Sequence, residues 1–359
     1  MKRIYWIPII FLLACNQQEM QLVKLEGKTM GTTYHISFLP SAQKDMSSNS
    51  TDFQTDIDSL LVGFNNSVST YIPSSIISKV NKQDTFIEVD EYFATIFKKA
   101  QEVSEKTNGA FDVTVMPLVN AWGFGYTDTI SMDSATVDSL RQLVDYRNVR
   151  LVTSPPSPLP GERGVRGEAE KYFVRKKDKR IQVDFSAIAK GYGVDLVGML
   201  VEKKGIENYM VEIGGEVRAK GKNEKGERWR IGVEKPIDDA SVSHHELKDV
   251  LTLENKSLAT SGNYRNFYYR NGKKVSHEID PETGYPAQNN LLSATVIADD
   301  CMTADGYATA FMVMGLEKTL DYLQKNTSLN AYLIFADEKG EMKTKYMGTS
   351  TTSVNVKKR

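Results

Sequence analysis

The sequence predicts an α+β fold of mixed, mainly antiparallel sheets flanked by helices. Three observations carry that expectation. The second half holds strand-like segments in runs, with few regular alternations of strand and helix. Asn271-Gly272 sits between two alternating segments, Tyr264–Tyr269 and Lys274–Ile279, the pattern of a hairpin closed by a type I′ turn. The first half supplies three segments with apolar residues at helical spacing. Composition fits a globular chain: 359 residues, 40% hydrophobic, 25% charged. With 45 basic against 46 acidic side chains, nothing suggests a nucleic-acid partner.

Taken in order, Thr32–Leu39 alternates and reads as a strand, and 41–51 is a polar loop. Asp52–Phe64 places Phe53, Ile57, Leu60, Leu61 and Phe64 on one helical face. Asp90–Asn108 does the same with Phe93, Ile96, Phe97, Ala100 and Val103, and Gly109 stops it. Asp133–Tyr146 is the third helix, with Val137, Leu140 and Val144 aligned. Residues 154–167 hold Pro155, Pro156, Pro158, Pro160 and several Gly; no helix or strand survives that, so they form an exposed insertion. Strands are expected at Lys171–Val174, Ile181–Phe185, Asn208–Ile213, Arg228–Glu234, Val250–Glu254 and Leu292–Ala298. Ala304–Met314 reads as a helix ending at Gly315, followed by another helix and a last hairpin.

The N-terminus carries an address. Lys2 and Arg3 precede an apolar run, Ile4–Ala14, too short to span a bilayer and suited to a signal peptide. The run ends Leu12-Leu13-Ala14-Cys15, which resembles the bacterial lipobox, in which the cysteine is lipidated after cleavage. The expected organisation is a signal peptide at 1–14, a lipid-anchored tether at 15–24 and one folded unit at 25–359. That makes the chain an extracytoplasmic, membrane-anchored lipoprotein on the periplasmic side. Losing Lys2 and Arg3 lowers the net charge by two, from −1 to −3. Cys301 then stands alone, so no internal disulfide is expected. Two Cys and four His, with no HExxH pair, give no structural zinc site.

Three constellations carry chemistry. In Asp184-Phe185-Ser186-Ala187-Ile188-Ala189-Lys190-Gly191, a strand ends in an acid and Ser186 is placed to cap the following helix. Its N-terminus and Lys190, read as a mobile charge, suit a phosphate. Taken alone, a plain strand–helix junction is the simpler reading. In Ala304-Asp305-Gly306-Tyr307-Ala308-Thr309, Asp305 and Thr309 are four apart and share a helix face. They are hard oxygen donors suited to Mg²⁺, although, taken alone, a helix-start acid and a back-bonded Thr explain them better. His277, just before the Asp280-Pro281 turn, is the histidine best placed for proton transfer; a structural strand-end role stands beside that reading. His35 lies in a strand and His244 and His245 in a polar loop, all expected to face solvent. Gly beside aromatics at Met30-Gly31 and Gly109–Gly125 can shape a slot for a flat ring, although a Gly-rich turn packed by aromatics reads at least as well.

In this order the segments MGTTY (30–34), NNSVSTYIPSSIIS (65–78), GAFDVTV (109–115), DFSAIAKGYGVD (184–195), VEIGGEVRAKG (211–221), ATSGNYRNFY (259–268), SHEIDPETGYP (276–286) and ADGYAT (304–309) resemble the ApbE family of FAD:protein FMN transferases. The resemblance spans about Gly27 to about Gly315. It implies a single compact catalytic unit that binds FAD through Met30, Tyr71, Ala110, Phe111, Asp112, Asp184, Lys190 and Ile279. It implies Mg²⁺ bound by Asp305, Thr309 and the Ala187 carbonyl, with His277 catalytic and Cys15 lipidated. FMN would pass from FAD to a Thr or Ser of an acceptor protein outside the cytoplasm, such as a respiratory redox subunit, with release of AMP. The alternatives are an FAD pyrophosphatase, a flavin-storing lipoprotein without catalysis, and a purely structural lipoprotein. Two features depart from the family pattern: the 154–167 insertion, and Glu278, where family members often carry Ile or Val.

Overall fold

A computed structural model describes residues 21–40, 50–82, 86–125, 132–153, 171–236, 247–264, 267–270 and 272–348. The signal peptide, Cys15, the insertion, His244 and His245, and Asn271 lie outside them.

The α+β expectation holds. An eight-stranded sheet forms the frame, and every pairing in it is antiparallel. Its edge begins with β1 (Val23–Thr29) and β2 (Thr32–Leu39). Thr29 faces Thr32, so Met30 (φ 50°) and Gly31 (φ 73°) are the whole turn, and two left-handed residues give the twist of a type I′ hairpin. β1 was not expected; it takes Val23 and Lys24 from the segment read as tether. β6 (Asn208–Ile213), β7 (Glu216–Lys220), β10 (Lys256–Gly262), β13 (Leu291–Ala298), β14 (Asn330–Ala336) and β15 (Met342–Met347) complete the sheet in that order.

Helices cover one face, except that the fourth and fifth pack together beside it around Val275 and Ile279. They are α1 (Ser50–Val68), α2 (Ile76–Lys82), α3 (Glu91–Lys106), α4 (Met116–Trp122), α5 (Ser134–Arg141), α6 (Ala189–Lys203) and α7 (Cys301–Lys325). The alternation within β14 shows the two sides. Ala331 and Leu333 join the core under α3 and α7, whereas Tyr332 and Ile334 meet Trp229, Leu251 and Leu253 of the hairpin β8 (Trp229–Glu234) and β9 (Leu247–Leu253). Asp90 caps α3 by accepting from the Phe93 N–H, and Asp133 caps α5 from Thr136, as their positions before apolar periodicity imply. A small sheet of β3 (Ile87–Val89), β5 (Tyr172–Lys176) and β4 (Val149–Thr153) lies beside α3. The expected hairpin is present as β11 (Phe267–Arg270) and β12 (Lys273–Ser276).

Two expectations fail. Ile181–Phe185 is not a strand. Its backbone groups are met by other partners: Val183 N–H donates to Asn81 Oδ1 (2.7 Å), Asn81 Nδ2 donates to Val183 O (2.8 Å), and Asp184 N–H donates to Val113 O (2.8 Å). Apolar alternation there reports burial beneath α2 and the 110–115 turn, without a ladder. Ser186 does not cap α6, which starts at Ala189 without a side-chain cap. Ser186 instead donates its N–H (3.0 Å) and hydroxyl (2.7 Å) to Asp184 Oδ1. Gly315 does break the last long helix (φ 75°, ψ 177°), and a second helical run continues to Lys325.

Candidate active site

One cavity of about 400 Å³ opens where the start of α6, the first turns of α7, the end of β10 and the segment after β12 converge. Of the residues assigned to FAD, the cation and proton transfer, Tyr71, Ala110, Phe111, Asp112, Asp184, Ala187, Lys190, His277, Ile279, Asp305 and Thr309 all line it. Met30 does not. It packs behind α6, where its side chain would meet any Cβ placed on Gly193. Among the described residues, no group of three or more His, Cys, Asp or Glu could hold a metal.

Close packing of α6 on α7 positions the cation-binding candidates. A Cβ at Gly191 would lie 2.4 Å from the Cys301 carbonyl and 2.7 Å from Asp305 Cβ, so only glycine permits this approach. The consequence is local chemistry. Gly191 N–H, one of the first-turn donors that a helix starting at Ala189 leaves unpaired, donates to Asp305 Oδ2 (2.9 Å). One turn further along α7, Thr309 Oγ1 lies 3.2 Å from Ser261 Oγ. A carboxylate, a hydroxyl and the Ala187 carbonyl, which precedes the first bonded turn of α6, make a hard-oxygen donor set lining one cavity.

The charge inventory tests whether that set fits Mg²⁺. Among the described residues, Asp112, Asp184, Glu216, Glu278 and Asp305 line the cavity with one cationic side chain, Lys190. Lys190 is not mobile: its Nζ is 2.5 Å from Glu216 Oε1, and Glu216 is 2% exposed. Burial pushes the Asp305 and Glu216 carboxyls up, against the pull of Lys190. Burial works against the Lys190 ammonium, but Glu216 and Asp305 outweigh it and hold its pKa above the usual value. Such a cavity repels a pyrophosphate unless a cation sits between, and the donor set fits a divalent one.

The rest of the site is braced from outside. Asp112 accepts from Thr114 N–H (2.8 Å), Thr114 Oγ1 (2.7 Å) and Tyr146 N–H (2.8 Å), fixing the turn that carries Ala110 and Phe111. Burial still pushes its carboxyl up to about 6. Burial also lifts Asp184, against its hydrogen bonds from Ser186. Tyr71 is exposed at the rim, and Phe124 stands 6.3 Å from the His277 ring, so aromatic side chains flank the cavity. Trp122 Nε1 donates to the Gly284 carbonyl (2.9 Å), tying α4 to the turn after His277.

Glu216 and Glu278 escaped the sequence reading as site residues. Glu216, Arg218 and Lys220 alternate along β7 like a solvent-facing edge. The charges of α6 answer them: Lys190 pairs with Glu216, Asp195 and Glu202 with Arg218, and Glu202 with Lys220. The signal was present as matched charge on neighbouring elements, visible only once α6 is laid on β7. Glu278 reads as a strand-end charge, yet it is 5% exposed and neither carboxylate oxygen has a hydrogen-bond partner.

Known proteins resemble the chain over most of its length. The chain is 39% identical to the FAD:protein FMN transferase of Haemophilus influenzae, over 91% of this chain and 90% of that one. It is 38% identical to that of Vibrio cholerae, over 88% and 89%. The solved flavin transferase ApbE of Vibrio cholerae superposes with a TM-score of 0.75 at 36% identity, covering 92% of this chain and 98% of the other. The ApbE family matches residues 30–333. By its sequence and by its fold, the chain belongs to the ApbE family.

Proposed function

We propose that the protein is an FAD:protein FMN transferase that moves FMN from FAD onto a Thr or Ser hydroxyl of an acceptor protein and releases AMP. The observation that carries this reading is the single cavity that gathers a hard-oxygen donor set, a paired lysine and an accessible histidine. Mere storage of flavin needs no cation site at the pyrophosphate. The aromatic walls at Tyr71, Phe111 and Phe124 suit the flat ring system of FAD.

Asp305, Thr309 and the Ala187 carbonyl would hold Mg²⁺, which supplies charge neutralisation at the pyrophosphate and polarises the phosphorus belonging to FMN. Lys190, held by Glu216, orients the phosphate oxygens. The acceptor hydroxyl oxygen bonds to that phosphorus, and the bond from it to the bridging oxygen breaks. AMP leaves with the bridging oxygen. His277 takes the hydroxyl proton. Water in place of the hydroxyl would give FMN and AMP.

The acceptor belongs outside the cytoplasm, and a respiratory redox subunit is the class this reading names. Cys15 would hold the enzyme at the membrane on the periplasmic side. In cells, Cys15→Ala should give uncleaved precursor or a released form, read by fractionation and gel mobility; unchanged size and partitioning would remove the anchor. The test of the reaction is purified protein with FAD and Mg²⁺, with and without such a subunit. AMP with flavinylated acceptor is expected. AMP with free FMN alone would make it a pyrophosphatase, and intact bound FAD a store.

A further inference from the structure

We propose that the hairpin β11–β12 and the groove beside it dock an acidic segment of the acceptor protein, next to the hydroxyl that receives FMN. The proposal rests on the reading of the chain as a transferase with a protein acceptor.

Tyr264–Ser276 holds four cations (Arg265, Arg270, Lys273 and Lys274), four aromatic residues and no acid, in a chain whose net charge is −1. A groove of about 300 Å³ opens beside the hairpin. Trp122, Val275, Tyr285 and Pro286 line it together with Arg270 and Lys274, and among the described residues no acid does. Arg270 is exposed, and so are Tyr269 and Tyr285. Lys274 Nζ stands 4.4 Å from the centre of the Phe267 ring. Aromatic and arginine side chains together are the composition of protein-binding surfaces.

The groove shares its frame with the cavity. Tyr268 Oη donates to the Trp122 carbonyl (2.9 Å), and its ring lies 5.3 Å from that of Phe124, which lines the cavity. Val275 is buried with Trp122 and Ile279, and Pro286 of the groove bridges to Ile279 of the cavity. β12 ends at Ser276, one residue before His277. From Val275 to His277 is two residues, at most about 7 Å of chain, so one acceptor segment spans both places.

Charge divides the two spaces. Carboxylates dominate the cavity, which repels an acidic side chain and admits a neutral hydroxyl. The groove has the opposite sign. An acceptor segment with Asp or Glu close to its Thr or Ser is thereby placed in register: the acids lie over Arg270 and Lys274, and the hydroxyl enters the cavity. An anionic bilayer also suits cations beside aromatics. Pressed onto this hairpin, however, it would lie against the cavity at His277 and obstruct the acceptor.

The first measurement is transfer to a flavin-accepting redox subunit, wild type against Arg270→Glu. The expected KM for the subunit rises about tenfold, while the rate at saturating subunit and the KM for FAD hold. Arg270→Lys should restore the KM, Arg270→Gln should fall between, and added salt should raise the wild-type KM more than that of Arg270→Glu. A merely structural role would lower the saturated rate and would be indifferent to salt. The second measurement needs no transfer: anisotropy of a fluorescent glutamate-rich peptide without Ser or Thr. Wild type should bind it about tenfold more tightly than Arg270→Glu. An unchanged KM for the subunit, or equal peptide binding by the two proteins, overturns the proposal. Capture of the wild type by phosphatidylglycerol vesicles through Arg270, without peptide binding, would assign the hairpin to a membrane and overturn it as well. If the wild type flavinylates no subunit, the transferase reading falls instead, and the peptide still decides whether the hairpin takes an acidic segment.

Discussion

Asp195 and Asp305 each reach from one of the packed helices α6 and α7 to backbone N–H groups of the other, and both are almost fully buried. Asp195, on α6, has full partnership. Oδ1 accepts from Cys301 N–H (3.0 Å) and Arg218 Nη1 (2.9 Å), and Oδ2 accepts from Met302 N–H (2.8 Å). It caps the start of α7 and neutralises Arg218. Asp305, on α7, accepts from Gly191 N–H and otherwise faces the cavity. Burial raises both carboxyls, Asp195 to about 6, so a perturbed pKa does not tell them apart. Counting acceptor capacity does: one carboxylate is consumed by the fold, and the other keeps lone pairs for a ligand.

That contrast predicts opposite phenotypes. Asp195→Ala should cost about 2–4 kcal/mol of stability, because it leaves two helix-start N–H groups unpaired and takes from the partly buried Arg218 one of its two carboxylate partners, Glu202 remaining. Denaturant unfolding reads the loss, and transfer per folded molecule should stay near wild type. An unchanged unfolding midpoint would show that Asp195 is not the clamp. Asp305→Asn should leave stability level or raise it, since a buried charge is removed, while transfer falls roughly 10²–10³-fold. Thr309→Ala should lose less, about tenfold, since a neutral ligand is replaceable by water. Losses equal to those of Asp305→Asn would mean the hydroxyl does more than ligate. Deleting Pro155–Glu168 should change transfer by less than about twofold. Thr153 pairs with Tyr172, so the strand ends flanking the insertion already lie side by side and a short turn can join them. Slow transfer by a folded deletion variant would give the insertion a role.

The two regions also differ in how far they could be read from sequence. Helices with a capping acid ahead of apolar periodicity, α3 above all, were legible, and so were β2 and β6 with clean alternation. β7 and β10 were not, because Glu216–Lys220 looks solvent-facing and Lys256–Gly262 is short and small-residue rich. Ile181–Phe185 had a strand's pattern and lacks a strand's partners. At the site, no motif identified its role alone; their order did, through family resemblance. What order could not supply was pairwise charge: Lys190 with Glu216 and Asp195 with Arg218. Those depend on which element lies over which. Met30 shows the converse, a motif residue held in the turn of the first hairpin and packed away from the cavity.

The central claim is that Asp305 anchors the cation over the pyrophosphate. The most direct test is single-turnover transfer from FAD to an acceptor across a Mg²⁺ titration, wild type against Asp305→Asn, with AMP and flavinylated acceptor both quantified. The wild-type rate should saturate with Mg²⁺ and vanish on chelation. The variant should be slower at every concentration and need far more Mg²⁺ to reach its plateau. A variant that transfers at the wild-type rate with the same Mg²⁺ dependence would contradict the account and leave Asp305 as a second Asp195, a carboxylate that only joins two helices.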